Sequence, residues 1–85
     1  MTYKVDIKRS AEKDLEVISE QHRRRIRTAI DELSTNPRHE GSVRLHGGES
    51  GYRIRVGDYR VRYTVDDVMR VVRVYRIGNR REVYR

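Results

Sequence analysis

Cysteine is absent from the chain, which excludes disulfides and thiolate metal sites and fits a reducing compartment. No apolar run is long enough to span a bilayer. The N-terminus lacks the apolar stretch of a secretory signal, so a soluble, cytoplasmic protein is expected. Repeats, low-complexity tracts and linkers are also missing, and the 85 residues are expected to form one domain, 1–85. A chain of this size buries only about 60% of the surface its unfolded form exposes, so its core is thin. His22, His39 and His46 have no second histidine or carboxylate at metal-ligand spacing, and no metal or other cofactor is expected.

Acidic charge is scarce in one half only. Residues 1–42 carry nine Lys/Arg against eight Asp/Glu, a net +1, whereas residues 43–85 carry eleven Arg against five acids, a net +6. Of the 20 basic residues, 17 are arginine, whose planar fork of donors matches phosphate and stacks on bases as lysine does not. The arginines are also patterned. Tyr52-Arg53-Ile54-Arg55-Val56 and Tyr59-Arg60-Val61-Arg62-Tyr63 alternate with period two, which predicts strands with an apolar face inward and a guanidinium face outward. Two such strands side by side make a positive plate suited to a polyanion, RNA or DNA first. The bland alternative is a solvated basic surface.

Thr2 to Lys8 alternates as well, with Tyr3, Val5 and Ile7 in one phase, and reads as a strand. Ser10 is the expected N-cap of a first helix, and Ala11, Leu15 and Ile18 recur at helical spacing. A second helix is predicted from near Gln21 to about Thr35, with Ile26, Ala29, Ile30 and Leu33 as its apolar stripe and the single proline, Pro37, ending it. Val43 and Leu45 begin a strand, Gly57-Asp58 is a hairpin signal, and Asp66-Asp67 marks a further turn. Val68 to Ile77 is the last strand, where Val72 and Val74 share one phase and Tyr75 and Ile77 the other, as a bulge would produce. The expected fold is α+β in the order β-α-α-β-β-β: an N-terminal strand and an αα-hairpin packed on an antiparallel sheet that ends in a three-strand meander. Tyr52, Tyr59 and Tyr63 fall in the core phase.

The order of elements, the stretch Gly51 to Tyr63 and the ending Ile77-Gly78-Asn79-Arg80-Arg81-Glu82-Val83-Tyr84 resemble the RelE branch of the RelE/ParE toxin superfamily. The resemblance covers essentially the whole chain, and the Gly-x-Arg-(x)-Glu-Val-Tyr ending is its most specific part. It implies the toxic half of a type II toxin–antitoxin pair: a metal-independent endoribonuclease, or mRNA interferase, that acts on mRNA in the ribosomal A site. The RNA 2′-hydroxyl attacks the adjacent phosphate, leaving a 2′,3′-cyclic phosphate and a 5′-hydroxyl. The implied partners are the ribosome with its mRNA and an acidic cognate antitoxin. The family's functional residues fall on Arg53 and Arg55, on Arg60 of the next strand, on Arg80 with Arg81 beside it, and on Tyr84. Some relatives carry lysine where this chain has Arg53 and Arg55. Arginine, with a pKa above about 12, cannot take the role of proton acceptor there. The sequence stops one residue after Tyr84, short of the C-terminal helix found in some relatives.

Such chemistry needs an in-line nucleophile, stabilisation of the phosphorane charge, and proton transfer to and from the two oxygens. Arg60 and Arg80 suit the second task, with Arg53 and Arg55 on flanking phosphates. Tyr84 either stacks on a base or moves a proton, or else covers the core edge. Arg62, Arg81 and Arg44 are candidate RNA contacts. Arg23, Arg24 and Arg27, a second basic cluster on the second helix, are candidate ribosomal RNA contacts or a solvated helix face. His46 and Glu49 are weaker candidates, and Glu82 is expected to position Arg80 or Arg81. Two readings compete with the nuclease: a ParE-like inhibitor of DNA gyrase on the same fold, and an inactive module that only binds RNA or antitoxin.

Overall fold

The computed structural model describes residues 2–45 and 51–79. Two helices cover one face of a five-stranded sheet. The elements are β1 (Lys4–Ile7), α1 (Arg9–Glu16), α2 (Glu20–Glu32), β2 (Val43–Arg44), β3 (Tyr52–Val56), β4 (Tyr59–Asp66) and β5 (Val71–Asn79). In the sheet their order is β1-β5-β4-β3-β2. The meander β3-β4-β5 is antiparallel, as its alternation and short turns require. β1 joins it in parallel, Lys4 beside Val71 through Ile7 beside Val74, so the sheet is mixed. The two-residue β2 extends the other edge.

One continuous core forms between the layers. Ala11, Leu15 and Ile18 from the α1 side and Ile26, Ile30 and Leu33 from the α2 side meet Ile54, Val61, Tyr63, Val72, Val74 and Ile77 of the sheet. Each fully buried aliphatic side chain contributes about 1.5–3 kcal/mol. Tyr63 is fully buried, while Tyr52 and Tyr59 are partly buried against the same cluster. α2 is three residues shorter at its C-terminal end than its pattern suggested, because residues 33–35 form turns that lead into Pro37. Among the described residues, no helix is long and apolar enough to cross a membrane.

Turn chemistry explains the hairpins. Gly57 has φ +61°, whereas Asp58 is not at positive φ, which is the type II′ pattern with glycine first. In the β4–β5 turn the Asp66 carboxylate accepts the Val68 and Met69 N–H groups at 3.1 and 2.9 Å, and Arg70 closes the turn at φ 57°. The phase break in β5 is a register shift opposite the Arg62/Tyr63 step: Tyr63 pairs with Val74 but Arg62 with Arg76, leaving Tyr75 as the extra residue.

Ser10 is not the helix cap. Lys8 occupies that position, and the Ser10 hydroxyl, already inside the helix, donates to the Tyr75 carbonyl at 2.6 Å. Asp14, one turn on, accepts the Ile77 N–H at 2.8 Å. β1 ends opposite Val74, so these two α1 side chains serve the part of the β5 edge that β1 does not reach. Satisfying that edge from a helix keeps the end of β5 in the sheet.

Candidate nucleic-acid interface

The β3–β4 register sorts the side chains by face. Tyr52–Tyr63, Ile54–Val61 and Val56–Tyr59 oppose one another on the core side, and Arg53–Arg62 and Arg55–Arg60 on the other. β5 adds Arg76 beside Arg62 and Gly78 beside Arg60, and β2 adds Val43 beside Arg53. Directly opposed residues have Cβ atoms about 4.5–5.5 Å apart, so the four arginines form a square two strands wide. Like charges placed directly opposite destabilise a sheet, whereas opposite charges there would stabilise it. The repeated arginines therefore cost the fold something that a bound polyanion would offset.

Arg60 differs from the solvated side chain expected of an outward phase. It is 7% exposed, the single charged residue in the buried class among those described. The reason is its place on a central strand, with Arg55 on one side and the backbone of Gly78 on the other. Arg53 and Arg62 are half-buried and Arg55 is exposed, its Nε donating to the Gly57 carbonyl at 3.2 Å. Gly41, Val43, Arg53, Arg55 and Arg60 line a cavity of about 230 Å3, ample for a phosphate group.

Other candidates lie elsewhere. Arg44 sits beside Tyr52, in the opposite phase from Val43 and Arg53, and is exposed outside the square. Arg23, Arg24 and Arg27 line, with Glu20, a separate concavity of about 380 Å3 on the helical layer, across the sheet from the square. Within it Arg24 pairs with Glu20 at 3.1 Å. The last described residue, Asn79, lies beside Tyr59. Arg80, Arg81, Glu82 and Tyr84, like His46 and Glu49, fall outside the described residues.

One constellation has no signal in spacing or motif. Arg38 donates to both oxygens of Asp67 (2.6 and 3.0 Å) and through Nε to the Tyr52 hydroxyl (2.9 Å), and the Tyr3 hydroxyl donates to Asp67 at 2.7 Å. These bonds, from Arg38 first and Tyr3 second, hold the Asp67 carboxyl down at about 2. Nearby, the Tyr63 hydroxyl donates to the Pro37 carbonyl at 2.6 Å, and burial pushes that phenol up to about 12.

The family described as the ParE toxin of the type II toxin–antitoxin system parDE matches residues 5–84. The chain is 31% identical over 90 residues to a RelE1 toxin candidate of Methanocaldococcus jannaschii, covering 100% of this chain and 98% of that protein. Among solved structures it resembles the archaeal RelE–RelB complex from Pyrococcus horikoshii OT3. That likeness has 32% identity and a TM-score of 0.77, over 94% of this chain and 97% of the matched one. It also resembles free E. coli toxin RelE, an arginine-substituted variant, with 30% identity and a TM-score of 0.80 over 99% and 92%. Likeness over nearly the full length, on a fold that sets arginine against arginine across two strands, means that the chain belongs to the ParE toxin family of type II toxin–antitoxin systems as a RelE-like member.

Proposed function

We propose that this toxin is a ribosome-dependent mRNA endonuclease of the cytoplasm. The RNA supplies the nucleophile: its 2′-oxygen bonds to phosphorus, the P–O5′ bond breaks, and a proton leaves the 2′-hydroxyl while another reaches the 5′-oxygen. Arg60 clamps the non-bridging oxygens as charge builds on them, with Arg80 as its expected counterpart. Arg53, Arg55 and Arg62 hold flanking phosphates, joined by Arg81. They act by charge and hydrogen bonding, since guanidinium does not give up its proton. Tyr84 orients a base or moves a proton. Arg23, Arg24 and Arg27, on the far layer, contact ribosomal RNA, so the toxin sits between mRNA and ribosome.

The observation that carries this reading is the buried Arg60 inside a square of like charges in direct cross-strand register. An inhibitor that grips a protein surface has no need of a buried guanidinium lining a cavity with room for a phosphate. The antitoxin is expected to be acidic, given the net charge of +7, and the P. horikoshii relative was solved with a RelB partner.

The test adds purified protein to a reconstituted translation reaction and maps breaks in a defined mRNA by primer extension. Cleavage with 5′-hydroxyl and cyclic-phosphate ends, insensitive to chelator once the ribosomes are shown intact, is expected. Arg60→Ala should slow it by about 10²–10³-fold. Intact mRNA together with inhibited gyrase supercoiling would replace this function with the ParE-like one.

A further inference from the structure

The segment from Ser34 to Ser42 belongs to neither helix nor strand, yet it carries Gly41, one wall of the arginine cavity, and delivers Val43, the other. Its backbone is pinned at intervals. The Tyr3 N–H donates to the Ser34 carbonyl at 2.7 Å, and the buried Tyr63 hydroxyl donates to the Pro37 carbonyl. The Gly41 N–H donates to His39 Nδ1 at 2.9 Å, and the Ser42 N–H and hydroxyl donate to the His39 carbonyl at 2.9 and 2.8 Å. Between these anchors stands Arg38, whose fork grips Asp67 across 29 positions of sequence. Its Cζ also lies 5.3 Å from the centroid of the Tyr52 ring.

We infer that Arg38 and Asp67 are positioning residues, whose ion pair fixes the Gly41–Val43 wall against Arg53, Arg55 and Arg60 and so sets where a phosphate sits in the cavity. This rests on the nuclease reading above. The pair joins side chains that are 40% and 55% exposed, and solvent screens such surface pairs so that they add little to stability. Stability alone is thus a weak reason for its geometry. That geometry is specific: a two-pronged arginine–carboxylate bond, with a tyrosine hydroxyl on each partner. Four segments meet in it: the residue just before β1, the loop after α2, β3 and the β4–β5 turn. The clasp spends its hydrogen bonds on direction. It anchors a loop that has no ladder of its own three residues before Gly41, where that loop becomes the wall of a site. Catalysis is sensitive to such placement, because a misplacement of 1 Å can cost about 10²-fold in rate.

The test compares wild type with Asp67→Asn, Arg38→Lys and the exchanged pair Arg38→Asp/Asp67→Arg in the translation-coupled cleavage assay. The temperature is one at which circular dichroism shows every variant folded. Asp67→Asn should lower kcat by about tenfold while KM changes less than about twofold. Arg38→Lys, which keeps the charge but not the fork, should fall between it and wild type, and the exchanged pair should recover part of the loss. Wild-type kcat and KM in Asp67→Asn would overturn the inference, even with a lowered melting temperature. Should Asp67→Asn fail to fold, Arg38→Lys decides in its place. Should wild type leave mRNA intact, the nuclease reading falls and amide hydrogen exchange at Gly41 to Arg44 decides the clasp. Exchange about tenfold faster in Asp67→Asn supports it, and unchanged exchange overturns it.

Discussion

Replacing Tyr63 with phenylalanine removes one oxygen from the centre of the molecule and tests how the loop after α2 is held. The Tyr63 ring is fully buried, and its hydroxyl reaches the carbonyl of Pro37, also buried, at 2.6 Å. Phenylalanine fills nearly the same space, so the cost is that of a buried carbonyl losing its donor, about 1–3 kcal/mol. In a domain of this size each kcal/mol lowers the melting temperature by about 4–8 °C, so about 2 kcal/mol corresponds to a loss of roughly 8–16 °C. The pH dependence gives a second signature. The phenol titrates near 10 in the unfolded chain and at about 12 in the native one. A pKa raised on folding means that the contribution is complete below pH 10 and is lost as pH rises through 12. Wild type should therefore lose stability in that window through Tyr63 and Tyr63→Phe should not, narrowing the gap between them by about 1.4 kcal/mol at pH 11. The assays are thermal melting of both proteins at pH 8 and their urea unfolding from pH 8 to pH 11. A melting temperature within 2 °C of wild type, or a gap that stays constant with pH, would refute the argument.

Other perturbations probe the frame around the arginine square. Asp14→Ala removes the acceptor for the Ile77 N–H and the partner of Arg76 (3.3 Å), and should cost about 1–3 kcal/mol in urea unfolding, with Asp14→Asn recovering part of it; an unchanged midpoint in Asp14→Ala would mean the helix does not serve the β5 edge. Gly51 lies at φ +98°, where a Cβ would stand 2.3 Å from the Tyr63 carbonyl, so Gly51→Ala should destabilise by at least about 1–3 kcal/mol; tolerance of alanine at a wild-type melting temperature would contradict that geometry. Because Asp67 is held down at about 2 from an ordinary 3.8, its contribution is present above pH 3.8 and is lost as pH falls through 2. The Asp67 carboxyl carbon followed by NMR should therefore titrate well below pH 3.8, and a midpoint at 3.8 would show that Arg38 and Tyr3 do not hold it.

What was legible in the sequence was whatever rests on period. Alternation along Tyr52–Val56 and Tyr59–Tyr63 fixes which side chains face the core, because a slip of one residue would bury arginine and expose tyrosine, so the register and the basic face follow together. Pro37 ends the helical stretch, Gly57-Asp58 turns the chain, and the phase break at Tyr75 announces the bulge, all from local stereochemistry. Tertiary structure alone decided what depends on neighbours distant in sequence. The parallel pairing of β1 with β5 is one such feature, and the use of Ser10 as an edge partner rather than a cap is another. Period assigns Arg60 a face but not a depth; depth comes from a central place in the sheet, opposite Gly78. Arg44 and the arginines of α2 are as basic as those of β3 and β4, yet strand phase and layer put them elsewhere. The Arg38–Asp67 clasp spans 29 positions, and nothing in either residue's surroundings in the chain distinguishes it from an ordinary surface charge until folding brings the two together.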